Sequence, residues 1–132
     1  MTLQQVHDIV SRVCGIPDDY NKRGDISTGK LLADSGYAAF RDEIGVVEIL
    51  QHLEAHPQLI DSWAGYSSDK QRFKTGWFFD DRRHLIWRYS SDGERACEQT
   101  FDGRAQACAE FIKREIDDIY AMLHPKPWWR FW

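Results

Sequence analysis

Residues 76–101 read GWFFDDRRHLIWRYSSDGERACEQTF, and the fold turns on them. Gly76-Trp77-Phe78-Phe79 is a short apolar run. The polar turn Asp80-Asp81-Arg82-Arg83 follows, then Leu85, Ile86, Trp87 and Tyr89. Ser90-Ser91-Asp92-Gly93 is a second, stronger turn signal, and Ala96 to Phe101 alternates weakly. Short runs bounded by turns predict a three-stranded antiparallel meander. Trp77 and Phe79 share one face of the first strand; Leu85, Trp87 and Tyr89 share a face of the second.

On either side the apolar period is helical. Downstream, Asp102 caps a helix in which Ala105, Cys108, Ala109, Ile112, Ile116, Ile119, Tyr120 and Leu123 recur at three and four residues. Its other face carries Arg104, Glu110, Lys113, Arg114 and Asp117, and His124-Pro125-Lys126-Pro127 ends it. Upstream, Leu3, Val6, Val10 and Val13 mark a first helix capped by Thr2 and stopped by Gly15 and Pro17. Residues 15–25 read as a polar loop rich in breakers. Ser27 to Ser35 is a second helix ended by Gly36, and Tyr37 to Ile44 fits a helical turn or an irregular connector. Val46, Ile49, Leu50 and Leu53 form the stripe of the next helix, with Asp42 as its cap and Pro57 as its boundary. Leu59, Ile60, Trp63 and Ala64 mark a further helix expected to end near Gly65. Helices, then strands, then one helix predict an α+β fold: a helical N-terminal half, a three-stranded meander and a long C-terminal helix packed on the sheet. At 132 residues the chain has the size of one domain, 1–132, with an aromatic tail at 125–132.

Charged residues are 29%, hydrophobic residues 42% and mean hydropathy is -0.58, values of a globular chain rather than a disordered one. Net charge is -4. Residues 1–66 hold five Lys/Arg against ten Asp/Glu, whereas residues 67–132 hold twelve against eleven. That asymmetry favours a basic protein partner on the N-terminal half and disfavours nucleic acid, whose binders carry a basic surface. No run of about 18 apolar residues predicts a membrane span. The start lacks a signal-peptide pattern. With three widely spaced cysteines, Cys14, Cys97 and Cys108, the expectation is reduced, buried thiols in the cytoplasm.

Constellations that could carry chemistry are sparse. His52 and His56 lie four apart, half of a metal site, and the sequence shows no second pair, so no metal is expected. Cys97 or Cys108 could be combined with His84 and Asp80, but Cys108 falls on the apolar stripe of the last helix. The adjacent acids Asp18-Asp19, Asp80-Asp81 and Asp117-Asp118 read as solvated turns and surfaces rather than acid–base pairs. Lys70, Arg72, Lys74, Arg82, Arg83, Arg88 and Arg95 interleave with Phe73, Trp77, Trp87 and Tyr89. That mixture can stack on bases, but the surrounding acids favour the charged face of a sheet. The tail Trp128-Trp129-Arg130-Phe131-Trp132 reads as packing over an apolar groove, as a partner contact, or as a membrane-surface contact.

From residue 35 the chain carries Ser35-Gly36-Tyr37, Leu53-x-x-His56-Pro57-x-Leu59-Ile60-Asp61-x-Trp63, Tyr66-Ser67-x-Asp69-Lys70-x-Arg72 and Gly76-Trp77-Phe78-Phe79. Phe101-Asp102 and Ala105-x-Ala107-Cys108-x-Glu110-Phe111-Ile112-x-x-Glu115-Ile116 continue the pattern. Over residues 35–118 this resembles the small bacterial immunity proteins that accompany polymorphic or contact-dependent toxins. The resemblance implies stoichiometric binding to a cognate toxin domain, without catalysis or cofactor, through electrostatic steering and a few buried anchors. It assigns no binding residue. The residues themselves nominate the acidic loop Asp18, Asp19 and Asp25, the turn at Asp80 and Asp81, and Trp128, Trp129 and Trp132. Other readings of the same residues are a different protein-binding or regulatory module, a nucleotide or nucleic-acid binder on the Arg-rich sheet, or a small enzyme. Oligomeric state is left open.

Overall fold

A computed structural model of the chain describes residues 2–69, 75–90, 92 and 94–125. The elements run α1 (Leu3–Cys14), α2 (Ile16–Arg23), α3 (Thr28–Ser35), a 3-10 segment (Tyr37–Glu43), α4 (Val46–Ala55), α5 (Gln58–Asp69), β1 (Thr75–Asp80), β2 (Leu85–Ser90), β3 (Arg95–Thr100) and α6 (Arg104–Leu123). The strands pair antiparallel in the order β1-β2-β3, and α6 packs on β1 and β2. The fold is the α+β arrangement that the change of period predicts.

The local signals explain most boundaries. Thr2 and Gln5 form a reciprocal capping box: each side chain accepts the other's backbone N–H, at 3.1 and 2.9 Å. Ser27 caps α3 by accepting from Lys30 N, and Gly36 ends it in the left-handed region at φ 88°. Four expectations are corrected. Residues 16–23 form a helix instead of a loop, because Pro17 sits in its first turn, where no N–H is needed. Asp18 and Asp19 face the positive end of the dipole, Lys22 and Arg23 the negative end. The start of α4 is satisfied by Glu48, which accepts from Gly45 N at 2.7 Å, rather than by Asp42. Gly103, not Asp102, flanks α6, with no side-chain cap. Finally, α5 continues past Gly65 to Asp69. Trp63 and Ser67, one turn apart, are both buried, and Ser67 Oγ accepts the Phe79 N–H at 2.9 Å. That anchorage outweighs the roughly 1 kcal/mol that glycine costs inside a helix.

The core gathers around α6. Besides Cys108, Ile112 and Ile116, this helix buries Ala107, Phe111 and Glu115, a second stripe that the three-and-four pattern does not mark. It contacts α3, α4 and α5 as well as the sheet. Phe111 stacks on Phe79 and meets Trp63 edge-on, with centroids 5.8 and 6.1 Å apart. Trp63 Nε1 donates to Cys14 O at 2.9 Å, so α5 also satisfies a carbonyl at the end of α1. A polar clasp fixes the 3-10 segment to α6. Tyr37 Oη donates to Asp117 at 2.6 Å, Arg41 Nε bonds the same oxygen at 3.1 Å, and Lys113 Nζ donates to Tyr37 Oη and Ile44 O.

In the sheet, Phe79 pairs with Ile86 and Trp77 with Arg88. Trp77, Phe79 and Ile86 enter the core, and Phe78, Leu85 and Trp87 lie one residue out of phase, as alternation predicts. Phe78 stacks on Trp87 at 4.3 Å, and the Arg95 guanidinium lies 3.8 Å above the Trp87 ring. Every residue of β3 is exposed. Ile86 faces Gln99 and Arg88 faces Ala96, which leaves Cys97 and Glu98 together opposite Trp87, a bulge with Cys97 at φ 53°. Cys97 is therefore exposed, contrary to the expectation of a buried thiol, whereas Cys14 and Cys108 are buried.

A Cβ added at Gly65 meets nothing within 4 Å, and the residue has no positive φ. Gly65→Ala should stabilise the chain by about 0.5–1 kcal/mol, read as a higher urea midpoint at unchanged slope.

Candidate functional site

A groove of about 930 Å³ lies between α2, the α2–α3 turn, the end of α5, the start of β1, the end of β2 and α6. Its construction is traceable. Gly24, left-handed at φ 67°, ends α2 and turns the chain so that Asp25 reaches the rim. Asp69 comes from the last turn of α5, a turn present only because that helix passes Gly65. Asp118, Ile119 and Met122 line the groove from α6, and Tyr20 from α2. Met122 is 78% and Tyr20 45% exposed, so two large apolar side chains stand in solvent beside the carboxylates.

Tyr66 and Tyr89 also line the groove, with Glu115. Glu115 is only 6% exposed, and Tyr66 Oη donates to its Oε2. Burial and this carboxylate push the Tyr66 hydroxyl far above its ordinary range, so it remains a donor at any physiological pH. Tyr89 is opposite Gly76 in the β1–β2 register, and its ring lies across the glycine; a Cβ there would collide with the Tyr89 ring and hydroxyl. Gly76 is thus what lets Tyr89 reach the groove.

The structure separates the acids nominated from sequence. Asp18, Asp19 and Asp25 are exposed on and beside α2, and Asp25 lines the groove. Asp80 and Asp81 sit at the other end of β1, roughly 13 Å along the strand from Gly76. There they are engaged internally. Asp80 Oδ1 accepts from Arg82 N and Arg83 N at 3.1 and 3.2 Å, shaping the turn. Asp81 takes both Nε and Nη2 of Arg104, at 2.9 and 2.8 Å, and Arg104 Nη2 also bonds Asp61. Trp128, Trp129 and Trp132 lie outside the described residues, as do Lys70, Arg72, Phe73 and Lys74. Sequence reading misses Asp69 and Asp118 as rim carboxylates. The signal for Asp118 was its pairing with Asp117, but only the packing of α6 shows that one faces the clasp and the other the groove.

The remaining constellations are resolved locally. Arg88 bonds Asp118 at 3.3 Å and lies over Trp77 at 5.3 Å; Arg95 stacks on Trp87 and pairs with Glu98 at 3.8 Å. Both arginines are engaged within the fold, Arg95 by β2 and β3 and Arg88 by β1 and α6. Burial pushes the Cys14 thiol up to about 12 and Cys108 higher still, which keeps both protonated and poorly nucleophilic at neutral pH. His52 and His56 do share a face, with ring centroids 4.6 Å apart. No helix among the described residues is long and apolar enough to cross a membrane. No family model, no curated protein and no solved structure matches the chain.

Gly76→Ala should destabilise the chain by about 1–3 kcal/mol, because Tyr89 must leave its place. Adding Tyr89→Ala should recover much of that loss in a double-mutant cycle measured by denaturation. A thiol reagent added to the native protein should modify one of the three cysteines, Cys97, with Cys14 and Cys108 reacting only after unfolding.

Proposed function

We propose that the chain is an immunity protein that binds and neutralises a cognate bacterial toxin domain, and that the groove between α2, α5 and α6 is where it does so. The observation that carries the reading is the composition of that groove: the exposed carboxylates Asp25 and Asp69, with Asp118 held by Arg88 beside them, around the protruding Tyr20 and Met122. Carboxylates on a rim steer a basic partner and set the on-rate, and apolar anchors between them supply the slow off-rate. Asp18 and Asp19 on the exposed side of α2 extend the negative field, in keeping with the acidic N-terminal half. The resemblance over residues 35–118 names the kind of partner.

The nucleic-acid reading is less well supported. Arg88 and Arg95, two of its central arginines, are already stacked on tryptophans and paired with acids. A regulatory module for some other basic protein would use the same groove and is separated by the identity of the partner.

The test is co-expression with the product of the adjacent open reading frame, followed by pull-down, size exclusion and growth assay. A one-to-one complex with rescue of growth is expected. Asp25→Lys with Asp69→Lys should weaken binding by roughly tenfold and flatten its salt dependence. Met122→Arg should weaken it further, and Glu54→Lys, on α4 outside the groove, should leave it unchanged. A toxic neighbour that is neither bound nor neutralised would sink the reading.

A further inference from the structure

Five large hydrophobic side chains stand exposed among the described residues, and three of them, Tyr20, Met122 and Leu123, belong to α2 and the last turn of α6. Tyr20 and Met122 line the groove between α2, α5 and α6, with Pro17 and Ile119 beside them. Single apolar residues scattered on a surface need no explanation, but a group of them around a concavity marks a place that something covers. We propose that the chain's own residues 126–132, which lie outside the described residues, pack into this groove and close it.

Three observations support it. The first is where α6 delivers the chain. Leu123 ends that helix against the start of α3, its Cδ2 3.5 Å from the position a Cβ would take on Gly29. Ser27 and Thr28, the two residues before that glycine, line the groove, as does Met122. Pro125 has no N–H to offer a further turn and disfavours helical backbone at His124, which sits at φ -128° and ψ 63°. The chain therefore leaves the axis of α6 at the edge of the groove. The second is reach. Seven residues beyond Pro125 span up to about 23 Å when extended, enough to turn back and cross a groove between helices.

The third is complementarity. Residues 126–132 offer the aromatic side chains of Trp128, Trp129, Phe131 and Trp132 and the cations Lys126 and Arg130. The groove offers what these need. Tyr20 and Met122 supply apolar surface, and the thioether of Met122 suits contact with aromatic rings. Asp25 and Asp69, both exposed, supply the opposite charge around them. At about 930 Å³ the groove has room for more than one indole, and each aromatic side chain so covered removes roughly 150–250 Å² from water. The chain thus closes its own groove until a competitor displaces the segment. One consequence rests on the immunity reading: a toxin domain entering here competes with residues 126–132, and its apparent affinity falls with the fraction of chains that are closed.

The experiment is methyl NMR of the full chain labelled at its methionine methyl carbons. Met1 and Met122 are its two methionines, so Met122 gives one of two signals. Indoles packed on Met122 should shift its methyl upfield by a few tenths of a part per million, with cross-relaxation to indole ring protons, and the shift should not depend on protein concentration. Trp128→Ala, Trp129→Ala and Trp132→Ala together should return the signal to that of an exposed methionine. Asp25→Lys with Asp69→Lys should move it part of the way. Trp63, Trp77 and Trp87 do not line the groove, so the triple variant isolates the segment. Circular dichroism establishes that each variant is folded, and the cross-relaxation is read in the unaltered chain, with no variant needed. A Met122 methyl at the exposed position, or one that the triple variant leaves unmoved, overturns the proposal. A shift that grows with concentration places the segment in a second copy's groove and overturns the contact within one chain. None of these readouts involves a partner, so this proposal and the immunity reading fail separately.

Discussion

A helix that buries two stripes must have neighbours on both. That requirement on α6 organises this protein. One stripe runs through Cys108, Ile112 and Ile116, the other through Ala107, Phe111 and Glu115. The small residues Ala107, Cys108 and Ala109 let neighbouring elements approach closely at the start of the helix, whereas Phe111 and Ile112 fill the space between layers. Because α3, α4, α5 and the sheet all rest on α6, the N-terminal helices and the C-terminal sheet share one core cluster instead of forming two.

Polar groups inside this packing are matched to partners, and that divides the acids into two populations. Asp61, Asp81 and Asp117 are bound to arginine or lysine within the fold, and Asp80 to backbone N–H groups. Lys113, its pKa lowered by burial, spends its donors on Tyr37 and on the carbonyls of Arg41 in the 3-10 segment and Ile44 just after it. Carboxylates on and beside α2 belong to the second population: they are exposed, and they contribute to the field outside the molecule rather than to the contacts within it. Only the second kind can be offered to a partner without first breaking the fold.

How much of this is legible in the sequence depends on whether the cause is local. The meander, the capped starts of α1 and α3 and the long final helix are written in turn residues and periodicity, and the structure has them. Helix α2 escapes because a proline and a string of polar residues resemble a loop, although the same proline and the ordering of acids before bases are what a short helix needs. The last turn of α5 escapes because its cause is a hydrogen bond to β1. The candidate groove is built from α2, α3, α5, α6 and two strands, so only fragments of it, Asp25 among them, can be seen one segment at a time.

The bulge in β3 has a consequence for the chain's behaviour in a crowded solution. An edge strand whose residues are all exposed is a template on which another copy could extend the sheet. Here Cys97 and Glu98 crowd into the space opposite one residue, and the left-handed turn of the backbone at Cys97 breaks the repeat of donors and acceptors midway along a six-residue strand. With Arg95 and Glu98 also on the edge, an incoming strand would find only two short and misaligned stretches to pair with. The irregularity acts as a guard against cross-β association, protecting a small protein whose sheet has an open border.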